Sequence, residues 1–481
     1  MTQIQKKLFG NILFLVLINF LIKPFWTFGI DLKVQNTVGS DIYGFYYAVF
    51  NFSFLFHIFI DIGINQFHNR EIARTPEKLV VQYSQLFNLK ILFSLIYVLV
   101  SFSAAYFLRY NEAQFKLLLF LGINQIIHSF VLYNRANFTA LFKFKLDTFF
   151  SVFDKLLSIF ICAYLFYLSP LSADLEALFK IEYFVYAQTF SLAIAFILSF
   201  GILIFTEKPS WTKVDFKVFL PFLKKTLPFA VAVLLMTLYT RIDAVMIERL
   251  LPESEGNYQA GIYAAGYKIL DAVNQIPYLF ASFLIPVFAR LLKKEEDFKP
   301  IFSAALKMLL TISIGATIIV LFWGNTILEM MYKDYTEEWF QSFMYLMLSF
   351  NTAVLIYVSG SLLTANNNMI AISKMSVLAL CINIVLNYFF IKKDGASGAS
   401  LATLITQSVM AIMQMILVFK IWNFDVSFKY IFQFCVYSFV LALSSYYLQA
   451  KLENIVIIVI LGAVLAFAMN LIEWKLFLKK E

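Results

Sequence analysis

The sequence predicts an all-α polytopic membrane protein. It would hold fourteen transmembrane helices, as two parallel-repeat six-helix bundles plus two extra C-terminal helices. Three observations carry this reading. Of the 481 residues, 61% are hydrophobic and only 14% charged, against about 25% charged in an ordinary soluble protein. Too little polar sequence is left to coat a soluble surface. Long apolar runs such as "ILFSLIYVLVSFSAAYFL" and "ENIVIIVILGAVLAFAMNLIEW" recur from end to end, each close to the roughly 20 residues that a helix needs to cross a bilayer. Lysine and arginine, finally, are shared very unequally between alternate loops.

Taken in order, the runs place spans at 8–28, 42–64, 81–108, 116–140, 148–168, 181–205, 226–247, 258–288, 301–323, 340–364, 371–391, 398–420, 428–449 and 454–474. The first run is too long for a signal-peptide core and no small-residue cleavage site follows it, so it reads as a span. Residues 1–205 form the N-terminal six-helix bundle, 206–225 a cytoplasmic linker, 226–420 the C-terminal six-helix bundle and 421–481 the added pair. The linker, rich in lysine and proline, reads as an amphipathic helix lying on the membrane. Loops on the side of the amino terminus hold 22 lysines and arginines, those opposite hold nine. The positive-inside rule then puts both termini in the cytoplasm of a multi-pass inner-membrane protein. The net charge of +8 is thereby a topology signal, and no nucleic-acid partner is implied. Cys162, Cys381 and Cys435 lie in apolar runs without metal or redox spacing, and the three histidines are scattered. No metal or cofactor is expected.

Seven basic residues fall inside spans and more than three residues from their ends: Lys23, Lys90, Arg135, Lys155, Arg241, Lys268 and Lys307. Asp61, Asp154, Asp243 and Asp271 join them. A charge at the bilayer centre costs at least ~2.5–3.5 kcal/mol, so such groups face a protein interior or a water-filled cavity. Snorkelling toward the interface accounts for Lys23, Asp61, Arg135 and Arg241, near span ends. Lys268 and Asp271 are too deep for that. Three residues apart, they share a helix face with Gly261, Ala264, Ala265 and Ala272. Such a stripe either makes room for a bulky headgroup or lets helices pack closely around a buried pair. Asp243, Asp271 and Asp61 either carry a coupling ion or neutralise a neighbouring base, Asp243 beside Arg241 and Asp271 beside Lys268.

An internal repeat organises these spans. "YGFYYA" around Gly44 matches "AGIYAA" around Gly261, and "RANFTALFKFKL" at 135–146 matches "TANNNMIAISKM" at 364–375, at offsets of 217 and 229 residues. Both halves start from the same side, so the repeat is parallel, a common transporter plan with the substrate site near mid-membrane between the halves.

Specific residues then resemble a known family. "TLPFAVAVLLMTLYTRIDAVMIERL" and "GIYAAGYKILDAVNQIPYLFASFLIPVFARL" are similar to the seventh and eighth spans of Wzx-type polysaccharide (O-antigen repeat-unit) flippases. These belong to the multidrug/oligosaccharidyl-lipid/polysaccharide (MOP) exporter superfamily. Arg241-Ile242-Asp243, Gly261-Ile262-Tyr263, Lys268, Pro277 and Pro286 carry the match, with Tyr43-Gly44, the "DIG" at 61–63 and the small-residue run "GASGASLAT" at 395–403. The resemblance implies that the chain moves an undecaprenyl-diphosphate-linked oligosaccharide between leaflets, with protons or sodium as coupling ion and a polysaccharide polymerase as partner. Lys268, Arg241, Lys23, Arg135 and Lys155 would meet the diphosphate, lysine as a point charge and arginine as a fork. Tyr46, Tyr263 and Tyr267 would contact the sugar.

An enzyme is disfavoured, because no P-loop, GxSxG, HExxH or DxD motif is present and the loops are too short for a catalytic domain. A multidrug exporter of the same superfamily would favour acidic sites, whereas seven bases face four aspartates here. A lipid II flippase would carry more arginines in spans one, two and eight. A non-transporting membrane scaffold would have no need of the Lys268–Asp271 pair.

Overall fold

The computed structural model describes all residues except 1–17, 20, 66–67, 69–71, 73–74, 76, 78, 169–178, 213–215, 425–427, 450 and 473–481. The described residues are helical throughout, with no strand among them. They divide into two compact units, Met1–Thr237 and Leu238–Glu481.

In the first unit, helical residues run through a π-helical stretch, Phe25–Asp31, into α1 (Leu32–Val38). The expected first span therefore continues past residue 28, and Lys33, expected in an outer loop, is helical. Most of that expected span lies outside the described residues. Gly39 (φ 84°) breaks the helix, a conformation glycine adopts without steric cost, and α2 (Ser40–Leu55) follows. Next come α3 (Leu79–Phe107) and α4 (Glu112–Ala140). A capping box opens α4: Gln114 N–H donates to Asn111 Oδ1 at 2.9 Å and Asn111 N–H to Gln114 Oε1 at 2.8 Å. Two such bonds satisfy donors that a helix start otherwise leaves orphaned. The fifth expected span is made of α5 (Phe144–Phe150), α6 (Phe153–Ala163) and a π-helical turn, Tyr164–Leu168. After it, α7 (Ile181–Glu207) packs along α4 and α6. A buried cluster including Tyr83, Leu86, Tyr133, Phe138, Phe150 and Leu203 holds α3, α4, α5 and α7 together.

The later part of the linker is helical. Residues from Phe216 onward already belong to α8 (Phe216–Leu250). The preceding Ser210 is tied to the start of α3, where its N–H donates to Val80 O (2.7 Å) and its carbonyl accepts from Ser84 Oγ (2.6 Å). Helix α8 passes from the first unit to the second, so contacts divide the chain later than the expected 205/226 boundaries.

The second unit continues with α9 (Glu253–Lys294), α10 (Lys299–Met331), α11 (Glu338–Ala365), α12 (Met369–Trp422), α13 (Phe428–Leu448) and α14 (Asn454–Ala468). At 54 residues, a straight α12 would be about 81 Å long, far beyond the ~30 Å of a bilayer core. It doubles back instead at Gly395 (φ 53°, ψ −126°), next to Gly398, whose added Cβ would lie 2.1 Å from Phe390 O. Gln259 of α9 closes this turn by accepting Ala396 N–H at 2.8 Å. The two arms correspond to the expected spans 371–391 and 398–420. Helices α13 and α14 pack on α10 through Trp323, Tyr437, Leu441 and Ile458.

Ten helices among the described residues are long and apolar enough to cross a membrane, counting α12 once. Helix α14 stops at Ala468, short of the expected 474. Helices α1 and α5, of seven residues each, are too short to cross a bilayer alone, and α12 is a hairpin.

Candidate functional site

The stretch around Lys268 sits in α9, and its stripe of small residues has two characters. Gly261, Ala264 and Ala265 are buried, while Asp271, Ala272 and Gln275 further along are half-buried. A Cβ on Gly266, about half a turn round the helix from the stripe, would lie 3.0 Å from Leu346 and 3.4 Å from the Phe343 Cα of α11, so α9 packs closely on α11 through that other face. Lys268 is itself buried at 7% exposure. Asp271 receives Arg241 of α8 at 3.3 Å, and the guanidinium lies over the Tyr267 ring, 5.3 Å from its centroid. Tyr267 stacks on Tyr263 at 5.4 Å and donates its hydroxyl to Thr240 O at 3.0 Å.

Asp243, fully buried at 0% exposure, is held by neutral donors. Tyr263 OH donates at 2.8 Å and Thr403 Oγ1 at 2.5 Å to one carboxylate oxygen. Asn383 Nδ2 at 3.1 Å and Asn387 Nδ2 at 2.6 Å reach the other. Hydrogen bonds to an ionised group of this kind are the strong ones. Three helices converge on the carboxylate: α8 carries it, α9 brings Tyr263, and both arms of α12 supply the rest. The α12 turn makes this possible, because Asn387 and Thr403 would stand about 24 Å apart on a straight helix. Asn387 Oδ1 is buried and accepts no hydrogen bond from another described residue. The aspartate–base pairing of the sequence reading thus takes a different form: Arg241 goes to Asp271, and Asp243 is surrounded by hydroxyls and amides.

The first unit gathers Lys23, Arg135 and Lys155 within electrostatic reach of one another, together with His128 and Asp154. Arg135 Nε pairs with Asp147 at 2.8 Å and Lys155 with Asp154 at 3.7 Å. Lys23 is exposed and, among the described residues, has no carboxylate at salt-bridge distance. Lys155 Nζ stands 4.8 Å from the Trp26 ring centroid, a cation–π contact. Trp26 belongs to the π-helical stretch, a kind of distortion frequent at functional sites. From Trp26 an aromatic row leads on, stacking on Phe184 at 5.5 Å and from there meeting Tyr46 edge-on at 5.6 Å. Tyr46 is buried and accepts a hydrogen bond from Gln188 Nε2 at 3.3 Å.

Asp61 pairs with Lys90 at 3.9 Å. That lysine, of α3, is 0% exposed, donates to Ser129 Oγ at 2.8 Å and lies 5.9 Å from the rings of Phe130 and Tyr133. Breaking a buried pair from one side leaves an uncompensated charge. Asp61→Asn is therefore expected to destabilise the protein by about 3–5 kcal/mol, and Lys90→Met in the same chain to restore most of it. Thermal unfolding in detergent, followed by size-exclusion fluorescence, checks the order of the three proteins.

Sequence reasoning found Asp243 but not its full shell. Asn383 and Asn387, four residues apart on an apolar helix, were a visible signal. Thr403 and Trp26 were not, since threonine and tryptophan are ordinary in spans.

The family model described as "Polysaccharide biosynthesis protein" matches residues 8–292. The chain belongs to this family of MOP-superfamily flippases. The match takes in the whole first unit's cationic cluster, Arg241, Asp243 and all of α9 short of its last residues. No curated protein matches the chain in sequence. Among solved structures, the lipid II flippase MurJ in an inward closed conformation aligns with a TM-score of 0.71 at 16% identity, over 97% of this chain and 100% of MurJ. An inward-facing multidrug resistance MATE transporter of the MOP superfamily aligns at 0.59 and 11% identity, over 81% of this chain and 93% of that one. A MOP-superfamily transporter from Pyrococcus furiosus, described by the reverse polarity of its binding pocket, gives 0.55 and 11%, over 85% and 93%. At these identities the likeness is one of fold. The polysaccharide flippase family and the transporter fold agree.

Proposed function

We propose that this flippase moves an undecaprenyl-diphosphate-linked oligosaccharide from the cytoplasmic to the outer leaflet of a bacterial inner membrane. The cargo would serve O-antigen (lipopolysaccharide), capsule or exopolysaccharide assembly, and a polysaccharide polymerase would consume it. The transport is ion-coupled alternating access by a fourteen-span protein with two parallel six-helix halves and both termini in the cytoplasm. The observation that supports this reading is the gathering of Lys23, Arg135 and Lys155 beside the aromatic row Trp26–Phe184–Tyr46, with Lys23 paired to no carboxylate among the described residues. A diphosphate meets the cations, and the sugar that follows meets aromatic faces. Lys268 and Arg241 supply further positive charge in the second unit. Asp243 is the coupling carboxylate: a buried acid inside a span, ringed by hydroxyls and side-chain amides, is the kind of group that carries a proton or cation through a membrane protein.

Reconstitution into liposomes with a fluorescent lipid-linked oligosaccharide tests this reading. The Lys23→Ala/Lys155→Ala protein should fold normally and flip about tenfold or more slowly, since each lost charge-assisted contact is worth roughly 1.5–3 kcal/mol. Unchanged flipping would remove the cationic site from the mechanism. The full fold alignment with MurJ favours one second reading, lipid II as cargo. Faster transport of lipid II than of the oligosaccharide-linked lipid would establish it.

A further inference from the structure

The first unit contains a concavity at the opposite end of α4 from Arg135. It has a volume of about 390 Å³ and lies where the first turns of α4 and α7 meet α2. That is within the roughly 300–1,000 Å³ of small-molecule sites. Glu112 and Lys116 of α4 and Glu182 of α7 bring charge to it, and Phe45, Phe120 and Tyr186 supply aromatic walls. Phe120 and Tyr186 meet edge-to-face at 4.7 Å. Glu112 lies 23 residues before Arg135 on one helix, roughly 35 Å away, about the thickness of a bilayer core.

Acidic residues in the first turn of a helix stabilise its dipole, which accounts for two carboxylates but not for the rest. Glu112 and Lys116 are spaced i, i+4, the arrangement that ordinarily pairs on a helix, yet no ion pair or hydrogen bond joins their side chains. Glu182 likewise makes neither with another described residue. Three charges with no ion-pair partner among the described residues thus surround a hollow with aromatic walls. The α4 capping box fixes the backbone on one side, so the groups are presented on rigid elements.

We infer that this hollow is a saccharide-binding subsite, selective for neutral or amino sugars, separate from the cationic cluster and at the outer end of the transport path. Aromatic faces take up the apolar face of a pyranose ring, carboxylates accept from its hydroxyls, and the lysine donates to a hydroxyl or acetamido oxygen. Two carboxylates against one ammonium repel a uronic acid. The placement at the outer end rests on the proposed function and its topology; sugar binding itself does not.

The test is saturation-transfer NMR on the full-length protein in a detergent without a sugar headgroup. Methyl glucoside, N-acetylglucosamine and glucuronate are the probes, and tetraphenylphosphonium is the cationic competitor. The neutral and amino sugars should receive saturation, and glucuronate about tenfold less. Glu112→Gln/Glu182→Gln should cut the sugar signal about tenfold at an unchanged thermal profile, while Lys23→Ala/Lys155→Ala leaves it intact. Equal sugar signals in the wild type and the Glu112→Gln/Glu182→Gln protein would overturn the proposal, as would glucuronate binding as well as glucoside or displacement of the sugar by the phosphonium at stoichiometric concentration. If the sugar binds here but no lipid-linked oligosaccharide is flipped, the proposed function falls and the subsite stands. Flipping without any sugar signal removes the subsite alone.

Discussion

Replacing Asp243 by asparagine is expected to leave a folded flippase that no longer responds to an ion gradient. The substitution keeps the shape of the side chain and one acceptor oxygen for the hydroxyls of Tyr263 and Thr403. On the other side it sets an NH2 group against those of Asn383 and Asn387, which costs about 1–3 kcal/mol for a donor left unmatched. The effect on transport is larger. Without a carboxylate the shell has nothing to exchange a proton or cation with, and the coupling free energy, typically worth about 5–150-fold, is lost. Imposing proton and sodium gradients separately across proteoliposomes, with wild type and Asp243→Asn in parallel, measures it. A gradient response of wild-type size in Asp243→Asn would exclude this carboxylate from coupling.

The other large effect concerns the turn that brings the two arms of α12 together. In Gly398→Ala the new methyl group would stand 2.1 Å from the Phe390 carbonyl oxygen and 2.4 Å from its carbon. Both are backbone atoms and cannot rotate away. The arms must separate, with a cost of about 3 kcal/mol or more, and Thr403 is carried off the Asp243 shell. At Gly395 the steric obstacle is softer. The methyl group would meet the end of the Gln259 side chain at 2.4 Å, which can swing aside, while the backbone there, in the mirror-β region open to glycine, costs alanine about 1–3 kcal/mol. The expected order of folded yield is therefore wild type, then Gly395→Ala, then Gly398→Ala well below. Fluorescence-detected size exclusion of the detergent extract reads it, and a Gly398→Ala protein as stable as wild type would contradict the geometry of the turn.

The all-helical membrane fold was legible because hydrophobic runs of span length need no tertiary information. The α12 hairpin was legible for a different reason: "GASGASLAT" interrupts an apolar run with residues that only tight turns require. The linker's lysines and prolines marked it as polar without showing that its residues from Phe216 onward run unbroken into α8, since helix continuity leaves no mark in composition. Charges inside spans marked Asp243, Arg241, Lys23, Arg135 and Lys155 without showing their partners. Pairing is decided by helix rotation and crossing, and a change of one residue in register moves a side chain by about 100° around the axis. That is why Arg241 reaches Asp271 although Asp243 is two residues away in sequence. The buried small residues before Lys268 and the half-buried ones after it share one periodicity, so the point where packing gives way to opening was invisible.

The convergence on Asp243 also has a meaning for biosynthesis. Tyr263 follows it by 20 residues, but Asn383, Asn387 and Thr403 lie 140, 144 and 160 residues downstream. At about 5–20 residues per second, the ribosome needs roughly 7–28 s to make the first of those asparagines after the aspartate has been synthesised. Through that interval the nascent protein carries, in a membrane-bound helix, an acid with most of its native donors not yet translated. Tyr263 is the one shell member made early enough to shield it, so the half-made chain relies on that tyrosine in a way the finished one does not.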